Sequence, residues 1–233
     1  MKVIFAVPMY SGSISGATHR SLTMTRLVLS GLGIEHDELD REGNCYVSAA
    51  RNQLVADFLK TDGTDLFFID DDISFSPKDV MDILKRPEEV VGGIYRLKTE
   101  EEMYPVLIYT NRLGIPIVTP DGLIPASGLP TGFLRIKRSV FEKMCYQYPE
   151  LKYEEKGNEY YGLFDCAIIN GKWTGDDFAF CRRWSDIGGQ MFVLPNLTLT
   201  HGGKKDYTGN YHKFLLNCPK PKEEQTNALL PKL

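Results

Sequence analysis

Leu66-Phe67-Phe68-Ile69-Asp70-Asp71-Asp72 joins a dense apolar run to three adjacent carboxylates. A short, continuous apolar run is typical of a strand that is buried on both faces of a parallel sheet. In α/β sheets the carboxyl ends of such strands open onto the ligand crevice. Strand alternation predicts Asp70 and Asp72 on one side and Asp71 on the other. The alternative is a turn whose aspartate caps the helix near Pro77.

The segments around this stretch alternate between strand and helix patterns. The clearest helix is predicted over Val47–Lys60, with Ser48 as its cap. Strands are predicted at residues 3–7, 34–39, 66–69, 89–92, 106–109, 115–118, 122–124, 132–136, 191–194 and 197–200, and further helices at residues 18–30, 77–85, 139–146 and 175–187. This order predicts an α/β fold with a mainly parallel central sheet, helices on both faces and a small mixed-sheet extension after Tyr95.

Composition places the chain among globular proteins. With 233 residues, of which 42% are hydrophobic, one domain over residues 1–216 is expected, followed by a mobile tail at residues 217–233 that is rich in Pro, Lys and Glu. The net charge of -4 argues against non-specific binding to duplex nucleic acid. No stretch has the length of a membrane span or a signal peptide, so a cytoplasmic location is expected, in the host cell if the chain is viral.

The five cysteines are far apart, odd in number and without a C-x-x-C pair. This spacing fits neither a disulfide framework nor a zinc site, so reduced and mostly buried thiols are expected. Gly12 and Gly16 lack the residues that a P-loop or a dinucleotide site requires around its glycines. No arrangement of a serine or cysteine hydrolase triad is present either.

A second acidic pair, Asp176-Asp177, opens the helix predicted at residues 175–187. Asp177 precedes Phe180 by three residues and Trp184 by seven, which predicts it on the apolar stripe, with Asp176 on the flank. Capping by the helix dipole is the alternative. A carboxylate on the buried side of the first turn of a helix needs an explanation, and a cleft at that position provides one.

Two basic side chains, His201 and Arg51, occupy unusual positions. His201 directly follows the strand predicted at residues 197–200 and precedes two glycines, which allow a close approach of the backbone. A lone histidine is more often a structural residue than a ligand, and this position is what favours a ligand. Arg51 lies on the apolar stripe of the helix over Val47–Lys60, where a guanidinium needs partners. An internal ion pair and a contact to a phosphate-bearing ligand are both open for Arg51.

Taken in order, seven segments resemble the GT-A glycosyltransferases, in particular the short family-two-like enzymes of phages and bacteria. The resemblance covers roughly residues 3–211. It runs through Val7-Pro8-Met9-Tyr10, Ala50-Arg51-Asn52, Phe68-Ile69-Asp70-Asp71-Asp72-Ile73, Val91-Gly92-Gly93-Ile94-Tyr95, Thr131-Gly132-Phe133-Leu134, Gly175-Asp176-Asp177-Phe178 and Thr200-His201.

The resemblance implies a role for each matching residue. A D-x-D element, here Asp70 and Asp72, would hold Mn²⁺ or Mg²⁺ on the donor diphosphate, and His201 would complete the metal shell. The remaining implied contacts go to the nucleotide-sugar donor and are assigned to Pro8, Tyr10, Arg51, Asp71 and Lys98. Lys98 would face the phosphates or be a surface residue, and the triple aspartate leaves the metal assignment open by one residue.

The resemblance also implies a reaction. Residues 1–99 would bind a nucleotide-sugar, most simply a UDP-sugar, and residues 100–216 would bind the acceptor. Asp177 would be the catalytic base of an inverting hexosyl- or pentosyltransferase; Asp176 replaces the usual glutamate, so its role is less defined. The acceptor hydroxyl could belong to a glycan, a protein or a modified DNA base.

Two alternatives to a glycosyltransferase remain open at this stage. One is a nucleotidyltransferase acting on a sugar phosphate, which would normally carry a basic, glycine-rich signature after the first strand. The other is a non-catalytic module that binds a nucleotide-sugar or a glycan. The sequence does not indicate an oligomeric state.

Overall fold

The computed structural model describes residues 1–217, in which helices and short strands alternate through the first half. The helices are α1 (Gly16–Gly31), α2 (Val47–Lys60), α3 (Pro77–Leu84), α4 (Arg138–Gln147), α5 (Asp176–Asp186) and α6 (Tyr211–Asn217). The strands are β1 (Lys2–Met9), β2 (Glu35–Glu42), β3 (Asp65–Ile69), β4 (Ile73–Ser74), β5 (Val90–Gly92), β6 (Leu107–Ile108), β7 (Ile124–Gly128), β8 (Phe133–Lys137), β9 (Lys152–Glu155), β10 (Asn158–Tyr161), β11 (Ala167–Ile169), β12 (Lys172–Thr174), β13 (Met191–Val193), β14 (Thr198–His201) and β15 (Tyr207–Asn210). A 3₁₀ turn at Pro149–Leu151 follows α4.

The central sheet has eight strands in the order β2-β1-β3-β8-β5-β13-β7-β6. Strands β2, β1 and β3 form a parallel block, and β5 is parallel to β13. Strands β8 and β7 run antiparallel to their neighbours, so the other six strands share one direction. The sheet is therefore mainly parallel, and the carboxyl ends of the neighbouring strands β1 and β3 lie side by side.

Helices cover both faces of this sheet, which explains the continuous apolar strands. Val3, Phe5 and Val7 pack with α1 and α3, whereas the alternating residues Ile4 and Ala6 pack with α2, α4 and α5. All five of these residues have an exposed fraction of 1% or less. A strand that is buried on both sides cannot alternate with polar residues, so β1 and β3 show unbroken hydrophobic runs.

Smaller antiparallel units extend the central sheet. Strands β15, β14 and β4 form a three-stranded sheet, and β9–β10 and β11–β12 are two separate hairpins. The predicted α/β fold class is thus confirmed. It is an α/β architecture with a mainly parallel central sheet, helices on both faces and a small extension.

Most predicted elements are confirmed, and the differences have local causes. Helix α2 has the predicted bounds, but its N-cap is Tyr46, without a side-chain hydrogen bond, so the expected cap at Ser48 is wrong. The strand predicted at residues 115–118 is reduced to a single bridge between Thr110 and Pro116. A proline has no backbone N–H with which to continue a ladder. Residues 218–233 lie outside the described part of the chain, so the expected mobile tail stays a prediction.

Two expectations from composition have different outcomes. Among residues 1–217 no helix is long and apolar enough to span a membrane. The four cysteines in this range are free thiols, as expected. The expectation that they are mostly buried is wrong, because Cys45 and Cys166 are exposed and only Cys181 is fully buried.

The aromatic core under α5 provides a test of the packing. Phe164 is fully buried, stacks on Phe180 at a centroid distance of 4.5 Å and meets the edge of Phe68 at 5.4 Å. Phe164→Ala is therefore expected to lower the free energy of unfolding by about 3–5 kcal/mol. Denaturant titration would measure the loss. Tyr146→Ala, at an aromatic residue that is 82% exposed, should change stability by no more than about 0.5 kcal/mol, and equal losses in both variants would contradict the packing described.

Candidate active site

A cleft of about 220 Å³ opens where the carboxyl ends of β1 and β3 meet the start of α2. The lining residues are Pro8, Met9, Tyr10, Asn44, Val47, Ala50, Asp70, Asp71, Asp72 and His201. Six of these ten, namely Pro8, Tyr10, the three aspartates and His201, were singled out in the sequence. Segments that are distant along the chain therefore meet at the edge of the sheet where the α/β architecture predicts a site.

The three aspartates lie in a turn rather than in a strand. Strand β3 ends at Ile69, and the backbone N–H of Ile73 donates to the carbonyl of Asp70 at 3.1 Å. The predicted strand alternation therefore does not apply to Asp70 and Asp72. Both line the cleft, but their carboxylates contact different cations, which are Arg51 for Asp70 and Lys98 with His201 for Asp72.

Arg51 joins three carboxylates from two parts of the chain. Its Nη2 lies 3.1 Å from Oδ1 of Asp70, and its Nη1 contacts both Oδ1 of Asp177, at 2.5 Å, and Oδ2 of Asp176. The Arg51 side chain is only 4% exposed. Of the two alternatives left open by the sequence, the internal ion cluster is present, and a contact of Arg51 with a donor stays a prediction.

The acidic pair at the start of α5 differs from the helical-stripe prediction. The side chain of Asp177 is 30% exposed and that of Asp176 is 18% exposed. The residue predicted on the flank is therefore the more buried of the two. Both carboxylates turn toward Arg51 because this guanidinium, which helical periodicity cannot reveal, lies between them and Asp70.

Burial dominates the electrostatics of this cluster. Desolvation raises the pKa of Asp70 and of Asp176, although the charge of Arg51 acts in the opposite direction. Burial alone would lower the pKa of Arg51, but the three carboxylates outweigh it and raise that pKa. One guanidinium therefore holds three acids together and leaves a surplus of negative charge in the cluster.

His201 is placed beside Asp72 by strand pairing. Strand β14 pairs with β4, which follows the three aspartates directly, and His201 is opposite Ile73. The Nδ1 atom of His201 lies 2.9 Å from the carbonyl oxygen of Arg96. Because a carbonyl only accepts, Nδ1 carries the proton of this hydrogen bond. The Nε2 atom then faces Oδ1 of Asp72 at 3.4 Å.

The contact between His201 and Asp72 is incomplete without a cation or a further proton. In the neutral imidazole, Nε2 presents a lone pair to a carboxylate that also only accepts. Either protonation of Nε2 or a cation between the two groups would satisfy both. The other oxygen of Asp72 contacts the ammonium of Lys98. Burial raises the pKa of Asp72, but Lys98 and His201, when Nε2 carries a proton, outweigh burial and lower that pKa.

The fit to a divalent metal is partial. Within residues 1–217 no three His, Cys, Asp or Glu side chains are arranged to hold a metal ion. Of the predicted set, Asp72 and His201 are together, whereas the carboxylate of Asp70 is engaged by Arg51. An oxygen and an imidazole nitrogen are suitable donors, with the remaining ligands left to phosphate oxygens. The described residues therefore fit a two-ligand site, and the expected set of three is not assembled.

Two residues that shape the cluster, Gly132 and Tyr95, were quoted in the resemblance but received no role from the sequence. An added Cβ at Gly132 would overlap the carboxylate of Asp70 and lie 2.7 Å from the hydroxyl of Tyr95. Only glycine therefore allows Asp70 to reach Arg51. Tyr95 is 6% exposed, and its ring meets that of His201 edge to face at 5.0 Å. The paired Thr131-Gly132 was the available signal, because a glycine beside a buried strand indicates a close approach.

Asn52 is a third residue that was quoted without a role, and it links α2 to the segment before β11. It is fully buried; its Oδ1 accepts the backbone N–H of Phe164 at 2.9 Å and its Nδ2 donates to Asp165 at 2.7 Å. A buried amide next to Arg51 thus holds the chain that leads to α5. The signal was its place on the apolar side of α2.

Comparison with known proteins supports the fold. No protein-family model matches the chain, and no curated protein matches it. The solved structure of A197 from STIV aligns with a TM-score of 0.52 and 21% identity over 90% of this chain and 95% of A197. GalNAc-T7 with UDP, GalNAc and Mn²⁺ aligns with a TM-score of 0.49 and 12% identity over 85% of this chain and 43% of GalNAc-T7. TarS 1–349 from S. aureus gives 0.46 and 12% over 97% of this chain and 68% of TarS.

The three structural similarities do not support the same conclusions. At 21% identity, the match to A197 shows a shared fold and nothing beyond it. The TM-scores of the other two structures lie below 0.5, so no argument rests on them. The function of the chain must therefore be argued from its own cleft.

Asp71 provides a test of the electrostatics. Burial, with the charges of Asp72 and Asp70, raises its pKa from 3.8 to about 6. The folded chain thus binds this proton more tightly than the unfolded chain does, and ionisation of Asp71 costs stability as the pH rises through about 6. Asp71→Asn should melt at a higher temperature than the wild type near pH 7 in EDTA, and the difference should vanish below about pH 4.

Asp62 is the control for this prediction, because its pKa is shifted in the opposite direction to that of Asp71. The contact with Lys2 lowers the pKa of Asp62, so Asp62→Asn should not stabilise the chain near pH 7. Thermal melts of all three proteins across this pH range provide the measurement. A melting difference between Asp71→Asn and the wild type that is the same at every pH would show that the carboxylate of Asp71 carries no such cost.

Proposed function

We propose that this chain is a metal-dependent glycosyltransferase of the GT-A type. It would transfer a hexosyl or pentosyl group from a nucleotide-sugar, most simply a UDP-sugar, to an acceptor hydroxyl, with inversion at the anomeric carbon. The observation that carries the proposal is the pairing of Asp72 with His201 in a cleft whose neighbouring acids, Asp176 and Asp177, are held by Arg51.

The metal site of this proposal consists of Asp72 and His201. The imidazole ligand favours Mn²⁺ over Mg²⁺, which prefers oxygen ligands. A divalent ion there would stabilise the charge that develops on the leaving diphosphate. The hydrogen bond from His201 to the carbonyl of Arg96 is the kind of second contact that fixes the tautomer of a metal-bound histidine. Lys98 would exchange its contact with Asp72 for one with a phosphate oxygen.

The donor would lie along the carboxyl end of β1. Tyr10 is 69% exposed at the mouth of the cleft, so its ring is free to cover a nucleobase, and Pro8 shapes the wall beside it. Arg51 is already occupied by three carboxylates, which supports a positioning role in place of the donor contact predicted from the resemblance. The division into a donor half at residues 1–99 and an acceptor half at residues 100–216 is part of this proposal.

Asp177 would be the base that takes the proton from the acceptor hydroxyl. It is the more exposed of the two acids on α5, and Arg51 contacts its Oδ1, so Oδ2 is the oxygen that would accept the proton. Asp176 is more buried and would hold Arg51 in place. Attack from the side of α5, opposite the diphosphate, would invert the anomeric configuration.

Hydrolysis of nucleotide-sugars tests the function directly. Purified protein with Mn²⁺ is incubated with a panel of UDP-, GDP- and dTDP-sugars, and release of the nucleoside diphosphate is measured with and without EDTA. Turnover of at least one donor that EDTA abolishes is expected. Full activity in EDTA would exclude metal dependence. Pyrophosphate release from a nucleoside triphosphate and a sugar phosphate would identify a nucleotidyltransferase, and binding of a nucleotide-sugar without turnover would identify a non-catalytic module.

His201→Ala should raise the Mn²⁺ concentration for half-maximal activity by at least roughly 10–100-fold, because the loss of a ligand costs no less than the loss of a residue that only orients one. Its melting temperature in EDTA should hardly change. His36→Ala is the matched control, since His36 is also half-buried and its Nδ1 also contacts a carbonyl, that of Ile34, at 3.0 Å. Both variants should fold, and only His201→Ala should shift the Mn²⁺ requirement. A stability loss in EDTA without such a shift would assign His201 a packing role.

Asp177→Asn should reduce transfer by roughly 10²–10⁴-fold, the usual contribution of a positioned general base. The amide keeps the shape and a contact with Arg51 but cannot take a proton. Affinity for UDP with Mn²⁺, measured by calorimetry, should stay near that of the wild type. Asp176→Asn is the control and should cost less activity. An active Asp177→Asn together with an inactive Asp176→Asn would transfer the role of the base to Asp176.

A further inference from the structure

The hairpin β11–β12 exposes an apolar face beside the acidic pair. Its two-residue turn, Asn170-Gly171, has positive φ values of 51° and 73°, the conformation that the tightest hairpins require. Ile168 pairs with Trp173 across the two strands, so both side chains project from the same face. They are 70% and 72% exposed. The largest side chain of this hairpin is therefore mostly exposed to solvent.

The chain has a second tryptophan, which behaves in the opposite way. Trp184 is fully buried, and its indole N–H donates to the carbonyl of Gln190 at 3.0 Å. The same residue type is thus used once for packing and once as an exposed ring. An exposed tryptophan contributes little to folding, and its wide, rigid surface suits the binding of a ligand.

The position of Trp173 relates it to the proposed base. Strand β12 leads through Gly175, the N-cap residue of α5, directly into Asp176 and Asp177. The Cη2 atom of the indole lies 3.5 Å from the position of a Cβ on Gly175. The ring therefore lies over the N-cap of the helix whose first turn carries both acids.

We propose that Trp173 and Ile168 form the platform on which a sugar ring of the acceptor stacks, so that the acceptor is a saccharide. The inference rests on the proposed function, because it places an acceptor hydroxyl near Asp177. The apolar face of a pyranose covers the indole, and its hydroxyls are free to donate hydrogen bonds to the neighbouring carboxylates.

The local charge favours a neutral saccharide over a nucleic acid. Asp165 precedes β11 by two residues and Asp176 follows β12 by two, so two carboxylates flank the open end of the hairpin, opposite the Asn170-Gly171 turn. They would repel phosphates and accept hydrogen bonds from hydroxyls. A second copy of the chain is a poorer occupant, because two side chains offer far less than the roughly 800 Å² per partner of a stable interface.

The test follows the two indole N–H signals by ¹H–¹⁵N nuclear magnetic resonance, with Trp173→Phe assigning them. Protein without donor or metal is titrated with the methyl pyranosides of glucose, galactose, mannose and N-acetylglucosamine. At least one sugar should produce a saturable shift of the Trp173 signal. The buried Trp184 signal is the internal control and should not move.

Four outcomes overturn the proposal. These are no shift with any sugar, equal shifts of both signals, a Trp173 shift with an oligothymidylate in place of the sugars, and a Trp173 shift on dilution alone, which would indicate a contact between copies. Because no donor is present, the result is independent of catalysis. A wild type that hydrolyses no nucleotide-sugar would refute the glycosyltransferase and leave the saccharide platform standing.

Transfer gives a second readout once a donor is known. Trp173→Ala should raise the pyranoside concentration for half-maximal transfer roughly tenfold or more, since the covering ring is lost, and Trp173→Phe should recover part of it. Affinity for UDP with Mn²⁺ should not change in either variant. Tyr146→Ala, at an exposed aromatic residue on α4, is the control and should not alter transfer. An unchanged pyranoside requirement in Trp173→Ala would contradict the platform.

Discussion

The guanidinium of Arg51 is shared by Asp70, Asp176 and Asp177, and the shape of the cleft depends on this ion cluster. Arg51 comes from α2, and its partners come from the turn after β3 and the first turn of α5. Its side chain is 4% exposed, and a buried charge that lost its partners would destabilise the fold by several kcal/mol. The cluster therefore fixes how α5, with its acids, meets the carboxyl ends of the central strands.

The ion cluster around Arg51 also explains why Asp70 and Asp72 have different partners. Asp70 is held by Arg51, and the missing side chain at Gly132 gives it the space to be there. Asp72 is then the aspartate that meets His201, which the pairing of β14 with β4 brings to the turn. A single run of three aspartates thus serves two purposes, one in the ion cluster and one at the proposed metal site. Tyr95 lies against both, which couples their geometry.

The sequence predicts what local patterns determine. The bounds of α2 and the buried strand β3 follow from apolar spacing alone, and the site was expected where acids end that strand. The burial order of Asp176 and Asp177 could not be predicted, because it is set by Arg51, 125 and 126 residues away. Local patterns could not place His201 beside Asp72 either, since its partner strand β4 has only two residues; only the family resemblance implied that pairing. The hairpin β11–β12 could have been found, because Asn170-Gly171 is a strong turn signal.

The charge of the cleft limits what it can bind. Among residues 1–217, the permanent cations that contact the three aspartates of the turn and the two acids of α5 are Arg51 and Lys98, and Arg51 is committed to three of the carboxylates. A diphosphate that entered this site alone would meet repulsion from carboxylates in a partly buried, low-dielectric environment. Two kinds of ligand avoid that cost: an anion that arrives with a divalent cation, and a neutral polyol. The proposed donor with its metal is an anion that arrives with a divalent cation, and the proposed saccharide acceptor is a neutral polyol. The excess of carboxylates over cations in the cleft therefore supports both proposals.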